Sequence, residues 1–347
     1  MPGMGDRDRR AHGRRGSASG SETMRIHRRA LIGAAFGLAG LFSLQNPAAA
    51  QAAKEVRLDW ATYNPVSLLL KEKGLVEKAL AADGVSVRWV QSLGSNKALE
   101  FLNAGSLDFG STAGAAALLG RINGNPIKSV YVYSRPEWTA LVTRPNTGIA
   151  AVKDLKGRRV AVTRGTDPHI FLIRALQGAG LTERDVKLVL LQHPDGRTAL
   201  DRGDVDAWAG LDPIMAAAEI ETGDVLFHRD PAANTWGVLN VREDFAKANP
   251  DLTRKVLAAY EEARALAVSR PEELRRALVA ATKLPEPVVA RQLERTDVSQ
   301  PNIGPAQAES ILAAGKALRE AGVIPAGTDV EAAVDALIDR RFNTAAR

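Results

Sequence analysis

The run Thr163-Arg164-Gly165-Thr166-Asp167-Pro168 carries the clearest chemical signal in the chain. It follows the β-type stretch Arg159–Val162, and its proline suits a first helical position with Thr166 or Asp167 as cap. Free backbone amides then sit at the C-terminal edge of a strand. Such amides and the helix dipole together attract an anion, and ligands of open parallel sheets bind outside such edges. Ser111-Thr112-Ala113-Gly114 repeats the device after Phe109, and Leu93-Gly94-Ser95-Asn96 is a third copy. Singly, each has an ordinary reading, because Ser, Thr and Gly cap most helices. As a set at strand ends, Ser95, Ser111, Thr112, Ala113, Gly165 and Thr166 read as a binding site for one negative group.

Bond-making chemistry has less to stand on. Beyond the first fifty residues only His169, His193 and His228 remain, without paired metal-ligand spacing. The chain has no cysteine, which excludes a thiol nucleophile, a disulfide framework and a Cys-rich zinc site. Gly315-Lys316 is followed by Ala317 and lacks the earlier glycine of a phosphate loop. Gly110 directly precedes Ser111, so the nucleophile-elbow spacing is missing. A Ser111, His169, Asp195 triad stays open, since triads form in space, and an enzyme is the competing class. No cofactor or metal is expected.

The elements that must position these turns begin after a leader. Residues 1–23 are rich in Arg, Gly and Ser and are expected to be disordered or to lie upstream of the true start. Residues 24–52 read as a signal peptide: Arg25, Arg28 and Arg29 precede a weakly polar run, Ala30 to Leu44, and Asn46-Pro47-Ala48-Ala49-Ala50 suits cleavage near Ala50 or Ala52. An uncleaved anchor and twin-arginine export are the alternatives. Of 46 basic and 40 acidic residues, eight and three fall in residues 1–50, leaving 38 against 37. A nearly neutral body has no electrostatic footprint for nucleic acid.

From Val56 onward, short β-type runs alternate with helical ones, which argues for a parallel α/β architecture. One set runs Val56–Trp60, a helix near Leu68–Leu80, Val85–Gln91, a helix Asn96–Ala104, Phe109–Ser111, a helix from Gly114, Val130–Ser134 and Thr139–Thr143. After a linker-like Arg144-Pro145-Asn146-Thr147-Gly148 a second set follows: Arg159–Thr163, Pro168–Ala179, Val186–Leu191, a helix from Asp195, Asp206–Gly210 and Val225–His228. Asp230-Pro231-Ala232-Ala233-Asn234 breaks the pattern again before Trp236–Val241, and only helices are expected after it, with Pro250, Pro271, Pro285 and Pro305 at their starts. These runs give one lobe from 54–143 plus 236–347 and another from 144–235.

Three stretches, Ala98–Thr112 (ALEFLNAGSLDFGST), Val152–His169 (VKDLKGRRVAVTRGTDPH) and Gly203–Pro213 (GDVDAWAGLDP), give the chain from Val56 to its end a family resemblance. It resembles the substrate-binding components of ABC importers of the aliphatic sulfonate, taurine and nitrate group. The resemblance implies a two-lobed periplasmic-binding-protein (type II) fold with a double crossover and a ligand cleft between lobes. It also implies a small organic anion, most of all a sulfonate, as ligand, a membrane permease as partner, and periplasmic residence; a lipid anchor would need a cysteine, so the protein is expected free in solution and monomeric. Under the resemblance the loop Thr62-Tyr63-Asn64 touches ligand. His169 matches a position that approaches the anion or simply caps, and Asp195 one that bonds a ligand amine or caps. Trp208 and Trp236 suit an aromatic wall for an organic tail, whereas Trp60 and Trp89 read as core and Trp138 is undecided. After Thr112 the family's Gly-Asp is replaced by Ala113-Gly114, and its aromatic before Asp-Pro by Leu211. Loss of the acidic group weakens recognition of an amino group such as taurine's, so an alkanesulfonate, an arylsulfonate or another organic anion stays open, with nitrate, taurine or a pyrimidine precursor as the alternative ligand.

Overall fold

The computed structural model describes residues 53–343. The stretch 1–23 and the leader at 24–52 lie outside the described residues.

Among the described residues eleven strands form two sheets: β1 (Glu55–Trp60), β2 (Ser86–Gln91), β3 (Phe109–Ala113), β4 (Ile127–Pro136), β5 (Leu141–Thr143), β6 (Arg159–Val162), β7 (Lys187–Leu190), β8 (Ala207–Ala209), β9 (Val225–His228), β10 (Gly237–Arg242) and β11 (Thr296–Asp297). The first sheet has the order β11-β4-β10-β3-β1-β2 and the second β7-β6-β8-β5-β9. Within the first, β1 runs parallel to β2 and β3, with β10 antiparallel between β3 and β4. Within the second, β6 is parallel to β7 and β8, and β5 is antiparallel to β8 and β9. The parallel strands are joined by helices, as the alternating pattern requires.

Each sheet is packed on both faces, which explains why its strands read as near-continuous apolar runs. Val160 and Val162 of β6 enter one core with Leu141 and Phe171, while Ala161 between them enters the opposite core with Val142 and Trp208. In the first sheet Tyr131 and Tyr133 of β4 lie in one core and Val132 in the other.

Four expectations are corrected. The helix placed at 68–80 is two, Pro65–Glu72 and Leu75–Leu80, because Gly74 takes a left-handed φ of 60° that a continuing helix cannot accommodate. The short strand β11 interrupts the C-terminal helices by pairing with Arg135 and Pro136 of β4. The helix tied to Pro285 spans Glu286–Glu294, so that proline is its cap and not its first residue. Finally, β5 belongs to the second sheet, so the first crossing lies at residues 137–140 and not after Thr143. The polar break at 144–148 is instead a turn inside the second lobe, where Asn146 and Gly148 have positive φ and Thr143 and Thr147 join hydroxyls at 2.9 Å. The outgoing and returning crossings touch each other: the Thr139 amide donates to Asn234 Oδ1 at 3.0 Å.

Away from these crossings the lobes share an apolar seam. Ile170 and Ile173, on the second-lobe helix Asp167–Gly178, pack with Ala115 of the first lobe and with Ala314, Leu318 and Ile324 of the C-terminal segment. Ala216 and Ala217 likewise meet Val288.

Candidate functional site

The C-terminal edges of the parallel strands bring most of the expected residues together, but as a frame. Asp59, buried at the end of β1, accepts from the Ser111 amide at 2.9 Å and from Ser111 Oγ at 2.8 Å. Asn64 Nδ2 donates to Ser111 Oγ at 2.8 Å, and the Tyr63 hydroxyl donates to the Ser111 carbonyl at 2.9 Å. Burial pushes the Asp59 carboxyl up to about 6, opposed by its bonds from Ser111. Thr112 Oγ1 accepts from Asn240 Nδ2, and Ser95 Oγ accepts from the Ala113 amide. The next amides are also engaged: Gly114 donates to the Trp236 carbonyl at 2.8 Å and Ala115 to Thr235 Oγ1 at 3.2 Å. The turn 111–114 is therefore not the open amide cradle that its sequence suggested. Thr62 is half-buried, and its carbonyl accepts from Gln292 Nε2 at 2.7 Å.

In the second lobe Gly165 takes the left-handed φ of 77° that its turn demands, and Thr166 Oγ1 donates to the Thr163 carbonyl at 2.6 Å. His169 is held at both ring nitrogens, Nδ1 by the Gly165 amide at 3.5 Å and Nε2 beside Glu183 at 2.9 Å. Its polar atoms brace the turn instead of meeting an anion. Asp195 is exposed and lines a surface hollow with Thr198 and Arg202, so the amine-bonding role is corrected as well. Ser111, His169 and Asp195 form no triad, since the first two have other partners and the third faces solvent. Trp208 and Trp236 are buried in the cores, the latter with the Arg135 guanidinium 5.3 Å from its ring; neither is an open wall. Trp60 and Trp89 are half-buried, with Lys71 over the first and Glu77 accepting from the indole of the second.

Two buried residues that the sequence did not place among the ligand-binding candidates matter more. Asp167 is only 2 % exposed and accepts from Trp138 Nε1 at 2.8 Å, the Thr235 amide at 3.0 Å and Thr235 Oγ1 at 2.6 Å. It thereby ties the second-lobe helix to both crossings, and Trp138 finds its role as a donor. His193 is fully buried, and among the described residues neither ring nitrogen has a hydrogen-bond partner. The signal was present: Asp167-Pro168 and His193-Pro194 are the same residue-plus-proline helix start at two neighbouring strand ends.

His193 also reaches across the cleft. A Cβ placed on Gly94 of the first lobe would stand 3.0 Å from His193 Nε2 and 2.9 Å from Asn96 Oδ1, and one on Gly165 would lie 4.0 Å from Asn96 Cβ. Turns 94–96, 165 and 193 therefore face one another. Among the described residues, Asn96 Oδ1 and both His193 nitrogens are buried there without a hydrogen-bond partner. Native proteins leave few such groups unsatisfied. Asn96 and His193 thus approach each other from the two lobes.

Burial pushes the His193 imidazole down to about 3, so it is neutral when folded. Because the folded value lies below the ordinary 6.5, this contribution to stability is complete above about pH 6.5 and is lost as pH falls toward 3. Urea unfolding of wild type and His193→Gln should show the wild-type advantage shrinking by about 3 kcal/mol between pH 7 and pH 4, near one proton per molecule. A difference that stays constant with pH would contradict a buried neutral imidazole.

The model for the family described as NMT1/THI5 like matches residues 79–274. The chain belongs to that family. A curated Escherichia coli (strain K12) protein, whose name assigns it provisionally to binding aliphatic sulfonates, is 33% identical to this NMT1/THI5-like chain over 74% of the chain and 81% of its own length. The crystal structure of the periplasmic aliphatic sulphonate binding protein SsuA from Escherichia coli superposes with a TM-score of 0.70 at 28% identity, covering 83% of this chain and 92% of that one. The alkanesulfonate-binding protein SsuA from Xanthomonas axonopodis pv. citri, bound to MOPS, gives a TM-score of 0.75 at 23% identity over 83% and 99% of the two chains. The NMT1/THI5-like chain thus has the two-sheet periplasmic-binding-protein fold, and these homologues are binding proteins, not enzymes.

Proposed function

We propose that this chain is the solute-binding component of an ABC uptake system, exported to the periplasm, where it captures an aliphatic sulfonate as a monomer and delivers it to a membrane permease. The observation that carries this reading is the set of buried, unpartnered polar atoms contributed by both lobes around Gly94, Asn96 and His193. A small oxyanion placed there accepts from the N–H of the His193 ring while strand-end helix dipoles stabilise its charge. The family's homologues, named for sulfonates, agree with that chemistry. Closure is a hinge motion in which residues 137–140 and 229–236 absorb the backbone change.

Thermal unfolding of the purified protein with methanesulfonate, ethanesulfonate, butanesulfonate, nitrate and orotate tests the reading. A ligand that binds only the folded form stabilises it by about 2.7 kcal/mol at a hundredfold excess over Kd. Sulfonates should raise the midpoint and the other anions should not; a shift with nitrate or orotate alone would overturn the assignment.

A further inference from the structure

We propose that His193 and Asn96 make the site selective for a sulfonate that carries a hydroxyl group near its head, in preference to a plain alkanesulfonate or an aminosulfonate. The inference rests on the sulfonate reading above and concerns the rest of the ligand. The polar atoms at the cleft are of two kinds. Asn96 Oδ1 is an acceptor, and it and both His193 ring nitrogens are buried with no partner among the described residues. A neutral imidazole adds one donor and one acceptor. An oxyanion satisfies donors only. A plain alkanesulfonate would leave the acceptors buried and dry, which is costly, so the bound molecule must itself bring an O–H or N–H.

The surroundings choose between those two. Asn96 Oδ1 and His193 Nε2 flank Gly94 from opposite lobes, and the glycine's missing side chain lets the two approach each other. Neither carries a charge: the amide oxygen accepts, and the neutral ring offers one nitrogen that accepts and one that donates. The carboxylates at these strand ends are already taken or turned away: Asp59 accepts from Ser111, Asp167 accepts from Trp138 and Thr235, and Asp195 is exposed. An ammonium buried here would lose its hydration without a counter-charge, whereas a hydroxyl donates to either acceptor and can accept from the imidazole N–H.

Isothermal titration of the purified protein with 2-hydroxyethanesulfonate, ethanesulfonate and 2-aminoethanesulfonate decides the matter. Wild type should bind the hydroxy compound at least tenfold more tightly than each of the others. His193→Leu should bring the hydroxy-to-ethane affinity ratio to within about threefold, and His193→Gln, which keeps a donor and an acceptor, should restore most of it. Should His193→Leu fail to fold, Asn96→Leu on the other lobe is expected to collapse the same ratio. Equal binding of all three by wild type, or tightest binding of the amine, would overturn the inference and leave the sulfonate reading standing. Binding of none would sink both.

Discussion

Replacing Asp167 with alanine is expected to cost about 3–5 kcal/mol of unfolding free energy, in the range for stripping a buried charged group from its partners. The carboxylate is held among three donors, the Trp138 indole and the amide and hydroxyl of Thr235. Desolvation raises its pKa, and the bonds from Thr235 and Trp138 oppose that rise. Without it, the indole and the Thr235 amide are left as buried donors, each an unmade bond worth roughly 1–3 kcal/mol. Urea unfolding should show a large fall in midpoint with little change in slope, since the surface exposed on unfolding is the same. Asp167→Asn should fall between, because one oxygen is kept while an NH2 group is turned toward a donor. A loss below about 1 kcal/mol for the alanine variant would contradict the bridging role, given that surface substitutions rarely exceed half that.

Arg295→Ala is the second large effect, and its size should depend on pH. The guanidinium is buried where the C-terminal segment meets the second lobe, 3.6 Å from Asp212 and paired with Glu219. Arg291 joins the same Glu219 at 2.5 Å. Burial pushes the Asp212 carboxyl up to about 7, even though Arg295 draws it down; removing the arginine must raise it further. A raised carboxylate contributes fully below its ordinary value near 3.8 and loses that contribution as pH climbs through the folded value. Near pH 5 Asp212 is protonated in both proteins, and the variant should lose little beyond packing and the Glu219 pair. Above pH 7 wild type can ionise Asp212 against Arg295 and the variant cannot, so the deficit should grow by up to about 2 kcal/mol between pH 5 and pH 8.5, the limit for a wild-type carboxyl titrating at about 7. A pH-independent deficit would show that the Arg295–Asp212 contact carries no electrostatic weight.

Strand order along the chain was legible because parallel strands packed on both faces announce themselves as apolar runs. Arg159–Val162, Val225–His228 and the helix starts at Pro250 and Pro271 were placed within a residue or two. The first crossing was not, because Thr139–Thr143 is as apolar and β-branched as any strand and only long-range pairing with Ala209 and His228 assigns it to the second sheet. Site residues divided along a similar line. Turns at Ser95, Ser111 and Gly165 were found from capping chemistry, which is local. Whether a capping atom faces a ligand or is spent inside the lobe depends on residues far away in sequence, as Asp59 and Asn64 do for Ser111 and Glu183 does for His169. His193 was left out of the site for the converse reason, since what sets it apart is that its ring has no partner among the described residues.

The apolar seam of Ala115, Ile170, Ile173, Ala314, Leu318 and Ile324 gives the two-lobed body a fulcrum set apart from its covalent crossings. Prising the lobes open there would wet aliphatic surface, so the seam resists their separation with no bond of the chain crossing it.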